Sequence, residues 1–233
     1  MDIILLGHGS PDPRSAAGLR SLADNVAEQF TDARVHVAFL DHDAATLASV
    51  AQAIKAARAD EAVVVPIFLS NAFHARVDVP REVAAASKAS GIELITTAPL
   101  GTDPLFLDAL ERQLPPGRPV VLATVGTSDV QARAELEDLA EQWSRRRATP
   151  VAVAFASQIG PDVQTAIESL RHAAIRDWAD TSTEPVVASF ALFDGVLPDR
   201  IKAAAGDLVC TPVLGSAPET TAVVIARIQE TGH

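Results

Sequence analysis

The sequence predicts an α/β protein made of two similar, doubly wound parallel-sheet domains, with an active site in the cleft between them. Three observations predict this fold. Apolar strand-like runs alternate with helical stretches, the alternation restarts after a Pro/Gly-rich break at 114–119, and short sequences recur in both halves. Alternating strands and helices favour a parallel sheet covered by helices, with right-handed connections. We therefore expect domains at residues 1–114 and 119–233.

The individual elements follow from the spacing of apolar residues along the chain. In the first half, strands are predicted near 3–7, 35–40, 63–69 and 92–98, and helices near 13–29, 44–57, 80–89 and 103–114. The second half repeats the strands near 120–125, 151–155, 186–190 and 208–211. A helix begins near Val130 and ends in Arg145-Arg146-Arg147, a cluster expected to complement the helix dipole.

Matching segments indicate that the second half is a copy of the first. Val37-Ala38-Phe39-Leu40 recurs as Val153-Ala154-Phe155-Ala156, at an offset of 116 residues. Pro99-Leu100-Gly101-Thr102-Asp103-Pro104 resembles Val213-Leu214-Gly215-Ser216-Ala217-Pro218, at an offset of 114. Two matches at nearly the same offset predict a duplicated domain.

Histidines follow two strands of the first half. His8 follows the apolar run 3–6 and His74 follows the run 63–69, and each precedes residues that start a helix. In an α/β domain such loops lie at the carboxyl ends of the strands, where ligands usually bind. Two imidazoles at one rim indicate a metal or proton-transfer site. His42 also follows a strand and is either a further ligand or a solvated loop residue.

The two copies differ where this chemistry would lie. We align Gly9-Ser10 of the first copy with Thr127-Ser128 of the second. This alignment puts Gly126 opposite His8. Leu197-Pro198 falls where the other imidazole is expected. The second domain is then a wall or lid over a single working site, although purely structural histidines would leave the same asymmetry.

Composition excludes several classes of partner. The formal charge of −11 argues against nucleic acid, which needs a basic face. No apolar run approaches the roughly 20 residues of a membrane span, and the first residues form no signal peptide. The single cysteine, Cys210, allows no internal disulfide and fits a reducing compartment. We expect a cytoplasmic protein without a membrane partner, and a small anionic ligand in a locally basic cleft is allowed.

Two motifs carry a resemblance to a known family. Residues 5–14, LLGHGSPDPR, resemble the opening of the class II sirohydrochlorin chelatases, the cobalt- and iron-inserting enzymes of cobalamin and siroheme synthesis. Residues 65–80, VPIFLSNAFHARVDVP, resemble their second signature. With the duplication, the similarity covers nearly the whole chain in the two-repeat form of the family. It implies an ATP-independent enzyme that inserts a divalent metal into a carboxylate-rich tetrapyrrole, with His8 and His74 as the active-site pair.

Metal insertion requires loss of two pyrrolic protons and exchange of the metal's water shell for ring nitrogens. Neutral imidazole can accept a proton or hold cobalt, iron or nickel, so His8 and His74 are candidates for both tasks. Asp41 stands where family members commonly carry a glutamate, and its repeat partner is Ser157. Asp41 either binds metal or accepts a proton, or it only caps the next helix. The expected metal substrate is Co²⁺ or Fe²⁺, with Ni²⁺ as a further option, and no nucleotide cofactor is expected.

Binding the substrate's carboxylates requires local cations and hydrogen-bond donors in an acidic protein. Arg14 and Arg76 each lie within a few residues of a candidate histidine, although both fit the pattern of solvated cations. The other candidates for substrate binding lie on the same loops and are Ser10, Ser70, Asn71 and Phe73. Because two repeats can supply within one chain what a single-repeat protein builds by dimerisation, we expect a monomer.

The sequence motifs fit other functions less well. A non-catalytic metal or tetrapyrrole carrier would use the same cleft and histidines, and the sequence leaves it open. A histidine phosphatase is disfavoured because Gly7 replaces the arginine that such an enzyme carries before its histidine. A dinucleotide-binding oxidoreductase is disfavoured because Asp12 replaces the third glycine of the Gly-x-Gly-x-x-Gly motif.

Overall fold

The computed structural model describes residues 1–70, 74–157, 160–178 and 184–232, with the backbone alone at 74–75 and 174–178. The strands are β1 (Asp2–Gly7), β2 (Arg34–Phe39), β3 (Glu61–Pro66), β4 (Glu93–Thr96), β5 (Val120–Thr124), β6 (Val151–Phe155) and β7 (Val186–Phe190). The helices are α1 (Pro13–Ala27), α2 (Leu47–Ala56), α3 (Val79–Ser90), α4 (Leu105–Glu111), α5 (Val130–Arg147), α6 (Val163–Trp178), α7 (Val196–Ala205) and α8 (Pro218–Gln229). A single-turn π-helix, His74–Asp78, precedes α3.

Two parallel sheets confirm the predicted fold class. One sheet has the strand order β2-β1-β3-β4 and the other has the order β6-β5-β7. The central strand β1 is buried along its whole length. Its residues Ile4 and Leu6 pack in a cluster with residues of α2 and α3, such as Ile54 and Val79. A parallel strand covered by helices needs apolar residues on both faces, which explains the continuous apolar run.

The compact units do not follow the predicted continuous domains 1–114 and 119–233. Unit 1 comprises Met1–Asp103 and Gly215–His233, and unit 2 comprises Pro104–Leu214. The last helix of each repeat is therefore exchanged: α4 belongs to unit 2 and α8 to unit 1. The sequence shows where each repeat ends but does not show which sheet its last helix covers.

Arg227 fastens α8 within unit 1. Its guanidinium donates hydrogen bonds to the carbonyls of Pro99 and Leu100 at 3.1 and 3.2 Å and lies 3.2 Å from the Asp103 carboxylate. Helix α8 also contacts α1 and β3. These contacts explain why the carboxyl-terminal segment belongs to the first sheet.

Helix α4 is held in unit 2 by a buried arginine. Arg147, whose side chain is 1% exposed, lies 2.6 Å from the Glu111 carboxylate and donates to the Pro115 carbonyl at 2.6 Å. Trp143 Nε1 donates to the same carboxylate at 2.8 Å. Arg147 therefore ties α4 and the following linker to α5, whereas the sequence predicted only that its cluster would complement the dipole of α5.

The predicted strand 208–211 is reduced to a single parallel bridge between Cys210 and Val187. Val187 donates its N–H to the Val209 carbonyl at 2.8 Å and accepts from the Thr211 N–H at 3.0 Å. Pro212 follows and has no N–H to extend the ladder. Cys210 is a free cysteine, as expected, and burial raises the pKa of its thiol.

A buried carboxylate joins the beginnings of β1 and β2. Asp2 is 4% exposed, and it accepts hydrogen bonds from Arg34 Nη2 and from His36 Nε2, both at 2.7 Å. Burial alone would raise the pKa of Asp2, but the hydrogen bonds from Arg34 and His36 outweigh it and hold the pKa below its ordinary value of 3.8.

Asp2 is expected to contribute stability that is lost in acid. Since its pKa is lower in the folded than in the unfolded chain, the unfolded chain binds more protons as the pH falls. The contribution is thus present above about pH 4 and is lost as the pH falls through the folded pKa. We expect Asp2→Asn to lower the free energy of unfolding by about 1–3 kcal/mol at neutral pH and to weaken its dependence on acid.

Urea unfolding followed by circular dichroism, at neutral pH and in steps below about pH 4, measures this contribution. Asp24→Asn is the control, because Asp24 is exposed on α1. The Asp24→Asn protein should lose stability in acid as steeply as the unmodified chain. If the Asp2→Asn protein did so too, the assignment to Asp2 would be wrong.

Candidate active site

The ends of β1 and β2 bring His8 and Asp41 together. Leu40 donates its N–H to the Gly7 carbonyl at 3.0 Å, and Asp41 donates to the His8 carbonyl at 2.9 Å. These bonds continue the β1–β2 ladder beyond both strands. On the other side of β1, the Ile67 N–H bonds the Leu6 carbonyl at 2.9 Å. The residues after β1, β2 and β3 therefore share one rim of the first sheet, as the sequence predicted.

Gly9 allows this close approach. It has a φ of +93°, which L side chains rarely adopt. A Cβ on Gly9 would lie 1.7 Å from the Asp41 carbonyl oxygen. Gly7 is restricted in another way, because its Cβ would lie 2.7 Å from Leu19 of α1. The glycines on either side of His8 thus allow the main chain to approach the first helix at Gly7 and the next loop at Gly9.

The His8 side chain is half-buried at this rim. Its Nδ1 lies 3.2 Å from the Gly9 carbonyl oxygen. Because a carbonyl oxygen can only accept, Nδ1 donates in this contact, and in the neutral ring the lone pair is then on Nε2. In that tautomer Nε2 can accept a proton or bind a metal ion, which is the chemistry predicted for His8.

Asp41 does not cap the next helix. Helix α2 is capped by Thr46, whose Oγ1 accepts from the Ser49 N–H at 3.2 Å. The Asp41 carboxylate instead accepts from the His42 N–H at 2.8 Å and lies 3.4 Å from His42 Nε2. His42 adopts a left-handed φ of +61°. The capping alternative for Asp41 is excluded, and its role toward metal or protons stays a prediction.

The loop after His8 uses its own polar groups to begin α1. Ser10 Oγ accepts from the Asp12 N–H at 3.1 Å, and Asp12 caps α1 by accepting from the Arg14 N–H at 3.0 Å. The Arg14 guanidinium lies 2.7 Å from the Asp12 carboxylate, and its hydrogen bonds hold the pKa of Asp12 below the ordinary value. A substrate carboxylate at Arg14 would therefore compete with Asp12.

The loop after β3 carries the remaining candidates. Ser70 is half-buried, whereas Asn71 and Phe73 lie outside the described residues. His74 begins the π-helix, and the structure describes its backbone alone. Arg76 is exposed on the same turn. Such short π-helical turns occur frequently at functional sites, and the apolar spacing gave no signal of this one.

A group of three or more His, Cys, Asp or Glu side chains placed to hold a metal does not occur within residues 1–70, 76–157, 160–173 and 184–232. His8 and Asp41 are brought together at the rim, and His74 follows the neighbouring strand β3. The metal-binding and catalytic assignments of these three residues stay predictions.

The second repeat corrects the predicted alignment by one residue. Gly126, with a φ of +110°, takes the place of Gly9 and not of His8. The Ser157 N–H donates to the Val125 carbonyl at 3.2 Å, as the Asp41 N–H donates to His8. Val125 is therefore opposite His8. The prediction matched Ser128 to Ser10, but Thr127 has the equivalent role, since its Oγ1 accepts from the Asp129 N–H at 3.1 Å.

These features define an α/β protein of two homologous repeats in which the first repeat alone carries a histidine and a carboxylate at its rim. A sequence model of the CbiX family matches residues 2–115 and again residues 119–231. The chain belongs to the CbiX family. This membership confirms the predicted relationship to the two-repeat sirohydrochlorin chelatases.

Relatives and solved structures agree with this membership. The sirohydrochlorin cobaltochelatase of Methanosarcina barkeri is 25% identical over 122 residues, covering 49% of this chain and 94% of the relative. The corresponding protein of Methanopyrus kandleri is 30% identical over 79 residues, covering 34% of this chain and 55% of the relative.

Among solved structures, SirB from Bacillus subtilis with Fe³⁺ superimposes with a TM-score of 0.83 at 19% identity, covering 99% of this chain and 94% of SirB. CbiX, the terminal enzyme for siroheme biosynthesis in denitrifying bacteria, superimposes with a TM-score of 0.69 at 20% identity and 99% coverage of both chains. At these identities the structural similarity establishes the fold.

Proposed function

We propose that the chain catalyses ATP-independent insertion of a divalent metal, Co²⁺ or Fe²⁺, into sirohydrochlorin. The observation that carries this proposal is that His8 and Asp41 lie at the same rim of unit 1, where the main-chain N–H of Asp41 donates to the main-chain carbonyl of His8 at 2.9 Å. That rim belongs to a CbiX-family chain whose relatives include cobaltochelatases. Insertion would serve cobalamin synthesis with cobalt and siroheme synthesis with iron.

The proposed reaction replaces two pyrrolic protons of the free base by one divalent metal ion. Two protons leave for each M²⁺ that enters, so the site needs proton acceptors as well as metal ligands. His8 in its neutral tautomer offers Nε2 for either task. Asp41 adds a negative charge that attracts the hydrated metal ion, and His74 is the second imidazole. A site with only a few protein ligands suits this chemistry, because the metal must leave the protein for the macrocycle.

Further properties complete the proposal. Imidazole and carboxylate ligands accept cobalt, iron and nickel, so we include Ni²⁺ as a further metal substrate. The reaction as proposed uses no nucleotide cofactor and proceeds on a monomer in the cytoplasm, with the tetrapyrrole as the small-molecule partner. Among the described helices, none is both long and apolar enough to span a bilayer.

The test is anaerobic loss of the free-base absorption spectrum of sirohydrochlorin with Co²⁺, Fe²⁺ and Ni²⁺ in turn. We expect insertion by the protein to exceed that of a protein-free control with at least one of these metals. Tight binding of tetrapyrrole or metal with insertion no faster than the control would instead assign the protein as a carrier.

A further inference from the structure

The rim of unit 2 carries an arginine whose charge is not used by the fold. Arg133 lies in the first turn of α5, is half-buried, and has its guanidinium carbon 5.1 Å from the centroid of the Phe155 ring. Its Nη2 lies 3.0 Å from the position that a Cβ on Gly160 would occupy. Within the part of the chain that the structure describes, no carboxylate pairs with it. The side chain is thus held in place by the ring and leaves its charge available.

The first repeat also has an arginine near its equivalent aromatic ring, from a different position on the helix, and neutralises it. Arg20 of α1 lies 5.5 Å from the centroid of Phe39, the repeat partner of Phe155. Its Nη2 is 2.8 Å from the Asp43 carboxylate. The stacking arrangement therefore recurs in both units, but only the arginine of unit 1 has an internal carboxylate. An arginine stacked on an aromatic ring and lacking an acid is suited to bind a carboxylate from outside.

The loops after the second strand of each repeat explain this difference in charge. In unit 1 this loop reads Asp41-His42-Asp43, and in unit 2 it reads Ser157-Gln158-Ile159. Both acids are replaced by uncharged residues. This loop of unit 1 therefore attracts a cation, and the corresponding loop of unit 2 repels an anion less strongly.

Ser157 supplies a hydroxyl close to Phe155. Its Oγ lies 1.9 Å from the Cβ position of Gly126, which in turn lies 3.7 Å from Phe155 Cβ. Ser157 is half-buried, and its hydroxyl has no hydrogen-bond partner among the described residues. Gly126 thus leaves room for the Ser157 hydroxyl, and Gly160 leaves room for the Arg133 guanidinium.

An apolar surface adjoins the arginine. Val130 is 81% exposed and lies three residues before Arg133 on α5, so the two side chains are neighbours on the helix surface. A large exposed apolar side chain beside a cation favours a ligand that is both apolar and anionic over a small inorganic ion. A carboxylate carried by a tetrapyrrole has this combination.

We infer that Arg133 and Ser157 form a subsite on unit 2 for a carboxylate of the tetrapyrrole substrate. The inference rests on the proposed function for the identity of the ligand. It assigns the two repeats different tasks: the first keeps imidazole and carboxylate groups for metal and protons, and the second uses a guanidinium and a hydroxyl for the substrate's acid side chains.

Binding of free-base sirohydrochlorin without metal, followed by its fluorescence under anaerobic conditions, tests the subsite. Loss of one guanidinium–carboxylate contact should raise the Kd about tenfold in Arg133→Gln, with a smaller rise in Arg133→Lys. Arg145→Gln is the matched control, because Arg145 is exposed in the last turn of the same helix and pairs with Glu141. Its Kd should equal that of the unmodified chain, and thermal melting of all variants verifies folding.

Steady-state insertion provides a second readout. Arg133→Gln should raise the KM for sirohydrochlorin by a similar factor and leave kcat nearly unchanged, because a contact to a substrate carboxylate is made equally in the ground state and the transition state. A folded Arg133→Gln protein with unchanged Kd and KM would overturn the subsite while the proposed function stands. Weakened binding by Arg133→Gln in a protein that inserts no metal would overturn the chelatase proposal and leave the subsite.

Inorganic phosphate is the competing probe. Thermal stabilisation by phosphate that Arg133→Gln abolishes, together with unchanged sirohydrochlorin binding by that variant, would assign the site to phosphate and overturn the carboxylate inference. Displacement of sirohydrochlorin only by organic polycarboxylates would support it.

Discussion

Replacing His8 with alanine is expected to slow metal insertion into sirohydrochlorin by about 10²–10⁴-fold. The imidazole lies at the end of the central strand, and its Nδ1 contact with the Gly9 carbonyl leaves Nε2 as the basic nitrogen of the neutral ring. Alanine removes a proton acceptor and a metal ligand at once. Because His8 is only half-buried, the protein should remain folded.

The measurement is the initial rate of free-base disappearance for His8→Ala, His74→Ala and Asp41→Asn, each with the preferred metal. His172→Ala is the control, since His172 is exposed on α6 in unit 2. We expect His74→Ala to slow insertion as much as His8→Ala does. Asp41→Asn should slow insertion less, because the His8 imidazole remains. Insertion by a folded His8→Ala protein at the unmodified rate would remove His8 from the mechanism.

The position of His8 could be predicted because a parallel sheet places the ends of its strands at one edge. A continuous apolar run followed by a glycine and a helix start is sufficient to identify such an end. The same reasoning predicted that Asp41 would share this rim. The sequence could not show whether Asp41 or Thr46 caps α2. The two residues are only five positions apart, and either residue type can cap a helix.

Features that depend on tertiary packing were not visible in the sequence. The exchange of α4 and α8 depends on contacts such as Phe106 against Phe190, whose ring centroids lie 5.9 Å apart, and these partners are far apart in the chain. The burial of Arg147 likewise depends on Glu111 in another helix. The alignment of the second repeat shifted by one residue because Thr127 and Ser128 both carry hydroxyls, and only the hydrogen bonds distinguish them.

Gly9→Ala is expected to lower the stability of unit 1 by about 2–5 kcal/mol and to reduce insertion at least as strongly as loss of Asp41. The new Cβ would meet the Asp41 carbonyl oxygen at 1.7 Å, and the φ of +93° adds strain. Moving that oxygen turns the Asp41–His42 peptide directly beside the Asp41 N–H that is bonded to the His8 carbonyl. We therefore expect relief of the clash to disturb the contact between the two residues on which the proposed chemistry depends.

Gly126→Ala is the matched control in the second repeat. Its φ of +110° gives similar strain, but its Cβ would meet the Ser157 hydroxyl oxygen at 1.9 Å, and a hydroxyl can rotate away. The chain's two tryptophans, Trp143 and Trp178, both lie in unit 2, so their fluorescence reports on that unit, whereas circular dichroism reports on both. We expect Gly9→Ala to lower the midpoint of the transition seen by circular dichroism and to abolish most insertion. We expect Gly126→Ala to retain most of its kcat at saturating sirohydrochlorin, because displacing the Ser157 hydroxyl affects only the proposed substrate subsite and leaves the rim of unit 1 unchanged. If Gly9→Ala kept full stability and activity, the close contact between the first two loops could not be what positions His8 and Asp41, because an alanine there cannot coexist with that contact.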